Sequence, residues 1–174
     1  MPHRVQVGND FKKAMQNGTL RFRNRGNSLK SILVVGGVEE CEDGVLCEDD
    51  SLYLATLLQS CFDLGISIRA PETVVISNLR NGDDFLKDDI KADIVLFANI
   101  FYHAHHNAQY QSPLAHQQHV WKNALARTNA KVVGNVTSMG LELPSAQLIG
   151  PCQSKMTQTI IGIPTCKIDV LVRQ

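Results

Sequence analysis

The residues of this chain that could perform chemistry follow short, β-branched apolar runs. They are Gly36 and Gly37, then Asp83, then Asn99 and His103. Glycine lets a ligand approach the backbone closely, and an imidazole can act as a general base near neutral pH. In an open parallel sheet, ligands bind outside the carboxyl ends of the strands. We therefore expect these residues to share one binding edge.

The elements that must position them alternate between strands and helices. Strands are predicted at 32–35, 73–76, 93–97 and 131–136, and a short helical segment at 83–90. One longer helix begins at Asp50 or Ser51, carries an apolar stripe over 54–62 and ends at Gly65, while another runs from Ser112-Pro113 to about Thr128. This alternation predicts parallel βαβ units.

Three further strands are predicted near the carboxyl terminus, at 146–149, 157–163 and 168–172. Because the four residues 164–167 are too few for a parallel crossover, the last two strands should form an antiparallel hairpin at one edge of the sheet. The expected fold is a three-layer, Rossmann-like α/β domain over residues 31–174, with a mostly parallel sheet. The strand 168–172 would be a pairing edge, which suggests a homodimer.

Charge is balanced over the 174 residues but unevenly placed. The 17 basic and 17 acidic residues cancel, so net charge gives no reason to expect a nucleic acid or a membrane surface as the main partner. Residues 1–30, which we treat as a basic amino-terminal arm, carry seven basic side chains against Asp10, and 39–50 carries seven acids. We interpret both segments as solvated faces. The alternatives are that the basic arm folds over an anionic ligand and that the acidic loop binds a hard cation through its carboxylate oxygens.

No signal peptide or long apolar run is present, which favours a cytoplasmic protein. The five cysteines form no Cys-x-x-Cys pair and are interpreted as reduced. Five histidines lie within 103–119, and His116 with His119 would share a helix face. A metal site there is the alternative to a polar loop and a solvated helix, and we predict no metal.

Phosphate-binding motifs are absent from the chain. Gly36-Gly37 is followed by Val38, Glu39 and Glu40, so the dinucleotide fingerprint is incomplete, and no Gly-x-x-x-x-Gly-Lys-Ser/Thr loop occurs. Carboxylates beside the glycines would repel a pyrophosphate. A ligand other than NAD or ATP is therefore expected.

The stretch from Asn81-Gly-Asp-Asp through Asp93-Ile-Val-Leu-Phe-Ala-Asn-Ile-Phe-Tyr-His103 resembles motifs of class I methyltransferases that use S-adenosylmethionine. The terminal hairpin is similar to that family's closing strands, and Val45–Ser51 could stand for its second strand. The resemblance implies that Glu48 or Asp49 binds the ribose, that Asp83 lies near the adenine, and that Asn99 and His103 meet the methyl acceptor. The incomplete glycine motif, and a segment 38–44 too short for the expected helix, imply a degenerate member.

Two alternatives remain open. The strand and helix order also resembles SGNH hydrolases, with Asn78 and Asn99 in the oxyanion-donor places, but Val35-Gly-Gly-Val38 replaces the nucleophilic serine and no late Asp-x-x-His occurs. The chain would then have that fold without its esterase activity. The third reading is a non-enzymatic binding or assembly protein.

Overall fold

A seven-stranded mixed sheet forms the centre of the structure, a computed structural model that describes residues 3–36, 42–77, 90–99, 113–138 and 150–174. Its strands are β1 (His3–Gln6), β2 (Ile32–Val35), β3 (Thr73–Ser77), β4 (Ile94–Phe97), β5 (Val132–Ser138), β6 (Cys152–Ile160) and β7 (Ile163–Arg173). Its helices are α1 (Asn9–Gln16), α2 (Glu48–Asp63) and α3 (Pro113–Arg127). Within these ranges, no helix is both long and apolar enough to span a bilayer.

The strand order is β1-β3-β2-β4-β5-β7-β6. The four central strands β3, β2, β4 and β5 are parallel, while β1 is antiparallel to β3 and β7 is antiparallel to both β5 and β6. The predicted α/β class, with a mostly parallel centre and an antiparallel carboxyl-terminal hairpin, is confirmed at this level.

The hairpin differs from its prediction in two respects. Its strands pair up to Ile160 and Ile163, so the turn is Ile161-Gly162 rather than 164–167, and Gly162 adopts φ +79°. Such a φ favours glycine, which explains how so short a connection closes. The segment 168–172 is also not an edge, because β7 is paired on both sides, and β6 forms the edge instead.

The resemblance to methyltransferases implied a strand at Val45–Ser51, and that prediction is wrong. Val45 forms only an isolated bridge with Gln6, and Glu48 already belongs to α2. Acids at the start of a helix are stabilised by its dipole, so this acidic stretch favours a first helical turn over a strand. The second strand of the parallel set along the chain is β3. The predicted strand at 146–149 and the helix at 83–90 lie outside the described residues, apart from Ile90 itself.

Alternate residues of the central strands enter two separate apolar clusters. Ile32 and Val34 belong to one cluster together with the apolar stripe of α2, whereas Leu33 and Val35 belong to another with Trp121 of α3. Because successive side chains of a strand point to opposite faces, both faces of the parallel centre are covered.

Candidate binding site at the carboxyl ends of the strands

The chain reverses its direction of winding between β2 and β4. It runs from β2 to β3 on one side and then returns to β4 on the other side of β2. At such a switch point the connections leaving the two strands diverge, which opens a crevice at their carboxyl ends. Here the switch point lies between Gly36, after β2, and Ala98-Asn99, after β4, and the connections that follow both strands lie outside the described residues.

Gly36 is buried at this point and its N–H donates to the Ser77 carbonyl at 2.9 Å. A Cβ at this position would lie 3.0 Å from the Ala98 Cβ and 3.3 Å from Asp50 Oδ2. A side chain here would force these neighbours to shift by a few tenths of an ångström. The missing side chain thus brings the first turn of α2 against the strand ends.

Asp50 is the residue in the first turn of α2 whose carboxylate lies against Gly36. It is only 4% exposed, whereas Glu48 and Asp49 in the same helical turn are exposed. All three carboxylates lie where the dipole of α2 favours negative charge. The helix start beside the switch point therefore already carries negative charge.

Asn99 adopts φ 57°, in the left-handed region that asparagine tolerates better than most residues. Its Oδ1 accepts a hydrogen bond of 3.0 Å from Ser138 Oγ at the end of β5. Within the described residues, Asn99 Nδ2 has no hydrogen-bond partner. This unusual backbone conformation at a strand end is the kind often found at functional sites.

A polar chain continues from Ser138 to α2. Ser138 Oγ lies 3.8 Å from Cys166 Sγ, its direct neighbour on β7, and the Cys166 thiol shares a hydrogen bond with the Tyr53 hydroxyl. Burial raises the pKa of Tyr53 well above its usual value, and its interactions with Cys166, Asp49 and Asp50 raise it further. Tyr53 is therefore a hydrogen-bonding group here and not a base at neutral pH.

We call this set the strand-end cluster: Gly36, Asp50, Tyr53, Asn99, Ser138 and Cys166. The sequence predictions place Gly36 and Asn99 in it. Glu48 and Asp49 lie in the adjacent helical turn, on its exposed side. Gly37, Asp83 and His103 lie outside the described residues, so their placement stays a prediction.

Four members of the cluster were not predicted as site residues: Asp50, Tyr53, Ser138 and Cys166. Ser138 follows the rule about strand ends, as Asn99 does, although it was not among the predicted site residues. Cys166 reaches the edge only because β7 is inserted antiparallel beside β5.

The histidine-rich segment and a pocket at the amino end of β3 are two other candidate positions for a site. Among the described residues, no group of three or more His, Cys, Asp or Glu side chains could hold a metal ion, while most of the histidine-rich segment lies outside them. A pocket of about 560 Å³ lies at the amino end of β3, lined by residues including Lys12, Met15 and Glu72. The carboxyl edge is bordered by segments outside the described residues, so its use as the ligand site stays a prediction.

Comparison with known proteins gives little further guidance. No family model and no curated protein matches the chain. Among solved structures, the chain is similar to one titled "Structure of the 16S rRNA methylase ArmA", with a TM-score of 0.35 and 14% identity over 95% of this chain and 82% of that one. A likeness at that score carries no argument about function.

Proposed function

We propose that the strand-end cluster binds a small molecule carrying positive charge, as in a degenerate S-adenosylmethionine-dependent methyltransferase. One observation carries this proposal: a buried carboxylate, Asp50, lies against Gly36 at the switch point of the parallel sheet. The same end of the sheet is where α/β proteins bind their ligands.

The sign of the charge separates the candidate ligands. Two unit charges about 4 Å apart near a protein surface interact by roughly 4 kcal/mol, attractively for a sulfonium beside a carboxylate and repulsively for a phosphate. Glu48 and Asp49 add negative charge at the same helix start. The cluster therefore favours the sulfonium of S-adenosylmethionine over the phosphates of NAD or ATP.

The roles suggested by the resemblance belong to this proposal. Glu48 or Asp49 would bind the ribose from the helix, Gly36 and Gly37 would let the ligand approach the backbone, and Asp83 would meet the adenine. Asn99 would orient the acceptor through Nδ2, and His103 would take its proton. The three-layer, Rossmann-like architecture and a cytoplasmic location are part of the same proposal, supported by the two covered sheet faces and the free thiols of Cys61, Cys152 and Cys166.

Isothermal titration with S-adenosylmethionine, S-adenosylhomocysteine, ATP and NAD tests this proposal. The wild-type chain should prefer the sulfonium over the uncharged thioether, and Asp50→Asn should reduce that preference at least tenfold. Asp63→Asn, at the exposed far end of the same helix, is the matched control and should leave it unchanged. Binding of the nucleotides with no heat from either sulfur ligand would contradict the proposal, as would an equal preference for both sulfur ligands in the wild type.

The two alternatives have their own measurements. The SGNH-like alternative predicts no hydrolysis of an acetyl ester, because Val35-Gly-Gly-Val38 stands in the place of the nucleophilic serine. Assembly is favoured by β6, which is paired on one side only and presents exposed residues such as Lys155 and Thr157. Light scattering after size exclusion should then show a dimer, and a monomer at micromolar concentration would argue against it.

A further inference from the structure

Two arginine side chains lie over one aromatic ring at the carboxyl-terminal end of α2. The guanidinium carbon of Arg21 is 4.9 Å from the centroid of the Phe62 ring, and that of Arg23 is 4.6 Å from the same centroid. Each cation is attracted by the ring's quadrupole. Two positive charges therefore contact the same ring.

The backbone around these arginines is fixed by several hydrogen bonds. Arg23 Nε donates to the Phe62 carbonyl at 3.0 Å, and the Ile68 N–H donates to the Arg23 carbonyl at 2.8 Å. In an extended segment, residues two apart point to the same side, so Arg21 and Arg23 face Phe62 together. The pair is therefore ordered before any ligand arrives.

No carboxylate of the described residues forms an ion pair with Arg21 or Arg23, although Asp63 is the next residue after Phe62. The cation–π contacts, worth about 0.5–1 kcal/mol each at exposed sites, hold the two guanidinium groups but do not neutralise their charge. An external anion would supply the opposite charge that the described residues do not provide.

Further basic residues extend the pair into a surface. Arg25, Lys30 and Arg69 are exposed on the adjoining backbone, where the Arg69 N–H donates to the Leu29 carbonyl at 2.8 Å. We call Arg21, Arg23, Arg25, Lys30 and Arg69 the basic surface. Glu48, Asp49 and Asp50 lie at the opposite end of α2, about 20 Å away at the helical rise per residue. The zero net charge of the chain thus conceals a separation of charge along this helix.

We propose that the basic surface binds the phosphodiester backbone of a nucleic acid strand. Guanidinium groups match phosphate oxygens with paired hydrogen bonds, and several cations side by side suit a polymer of phosphates better than a single anion. A membrane surface fits less well, because membrane binding also needs exposed apolar side chains beside the basic ones. Among the described residues, the exposed large apolar side chain is Ile161, which lies at the β6–β7 turn and not on the basic surface. This binding is independent of the ligand proposed for the strand-end cluster.

Fluorescence anisotropy with labelled single-stranded RNA, single-stranded DNA and duplex DNA of about 20 nucleotides tests the proposal and distinguishes the sources of phosphodiester. The exposed pair Arg21→Gln/Arg25→Gln should weaken binding at least tenfold and lower the slope of log affinity against log salt by about 1.5. Lys155→Gln/Lys167→Gln, which removes the same charge from the exposed face of β6 and β7, is the matched control and should change neither.

A second variant separates the effect of holding the two arginines in place from the effect of their charge. Phe62→Leu keeps every cation but removes the ring, so affinity should fall while the salt slope falls less than in the arginine variant. Equal binding by wild type and Arg21→Gln/Arg25→Gln would overturn the proposal, as would no binding at about 100 µM, the weak end of non-specific affinity. Tighter binding to anionic lipid vesicles than to any of the nucleic acids would also overturn it.

Discussion

Gly36 is the single residue whose replacement should disturb the candidate site most directly. An alanine Cβ would lie 3.0 Å from the Ala98 Cβ and 3.3 Å from Asp50 Oδ2, so the start of α2 or the end of β4 must move. Overpacking of this kind costs about 1–3 kcal/mol. We expect Gly36→Ala to lower the free energy of unfolding by that amount in urea titrations.

Gly26→Ala provides the control for this experiment. Gly26 is exposed and its added Cβ would meet nothing within 4 Å. The urea midpoint of the Gly26→Ala variant should stay within experimental error of the wild-type value. Equal midpoints for the two variants would show that the packing around Gly36 adjusts without cost.

Cys61 makes stability depend on pH in the alkaline range. Burial raises the pKa of its thiol from 9.0 to about 12. Above pH 9 the unfolded chain releases this proton while the folded chain keeps it, so stability falls as pH rises towards 12. The loss from this group should be about 1.4 kcal/mol between pH 8 and pH 10.

Urea unfolding at pH 6, 8 and 10 checks this sign and size. Cys61→Ala should be less stable than the wild type at all three pH values because of its lost packing, but the gap should narrow by about 1.4 kcal/mol at pH 10. A constant gap between the two proteins would contradict a raised thiol pKa.

How much of the site could be predicted depends on how each residue reaches it. Gly36 and Asn99 directly follow strands, so the rule about strand ends finds them from local sequence alone. Asp50 and Tyr53 reach the edge because α2 packs back on the sheet, and Cys166 because β7 pairs with β5. Those placements depend on contacts between residues far apart in sequence, which local patterns do not contain.

At the scale of elements, the same distinction explains which parts of the fold were predicted. The strands β2 to β5 are short runs of mostly apolar residues and the helices α2 and α3 are longer periodic patterns, and their predicted positions agree with the structure to within a few residues. Strand β1 is as short as β2 and β4 but lacks their apolar run, and it is held by antiparallel pairing with β3, more than 60 residues away. Its sequence, rich in basic and polar residues, gave no local signal of a strand.

Helix α3 should depend heavily on one side chain for its attachment to the sheet. Trp121, the single tryptophan of the chain, is fully buried and stacks on Phe97 with ring centroids 4.4 Å apart and planes 16° apart. Trp121→Ala should lower the free energy of unfolding by about 3–5 kcal/mol. Circular dichroism is the suitable probe, since the substitution removes the fluorophore.

Trp121→Phe tests whether stacking or volume matters more. A phenylalanine can retain an aromatic pair with Phe97, so its cost should be clearly smaller than that of alanine. Equal losses for both variants would mean that the size of the indole, and not the stack, holds α3 in place.

At the scale of the whole molecule, the basic amino-terminal segment takes part in the fold. Val5, Val7, Phe11 and Leu20 are buried in the cluster that also contains the stripe of α2. Basic side chains such as Lys13 and Arg21 remain exposed around them. Counting charges alone suggested an arm, because the few apolar residues that anchor the segment are spread among many charged ones.

This packing predicts one cooperative unit and not a domain with a separable arm. Phe11 is 6% exposed, and Phe11→Ala should lower the free energy of unfolding of the entire chain by about 3–5 kcal/mol. Trp121 fluorescence, which reports on the opposite face of the sheet, should shift by the same amount as circular dichroism, because a two-state domain unfolds as a whole. Lys13→Ala, exposed on the same helix, should change neither signal. If Trp121 fluorescence kept its wild-type midpoint in Phe11→Ala, the segment before β2 would be energetically separate from the sheet, and the basic surface could then rearrange without disturbing the strand-end cluster.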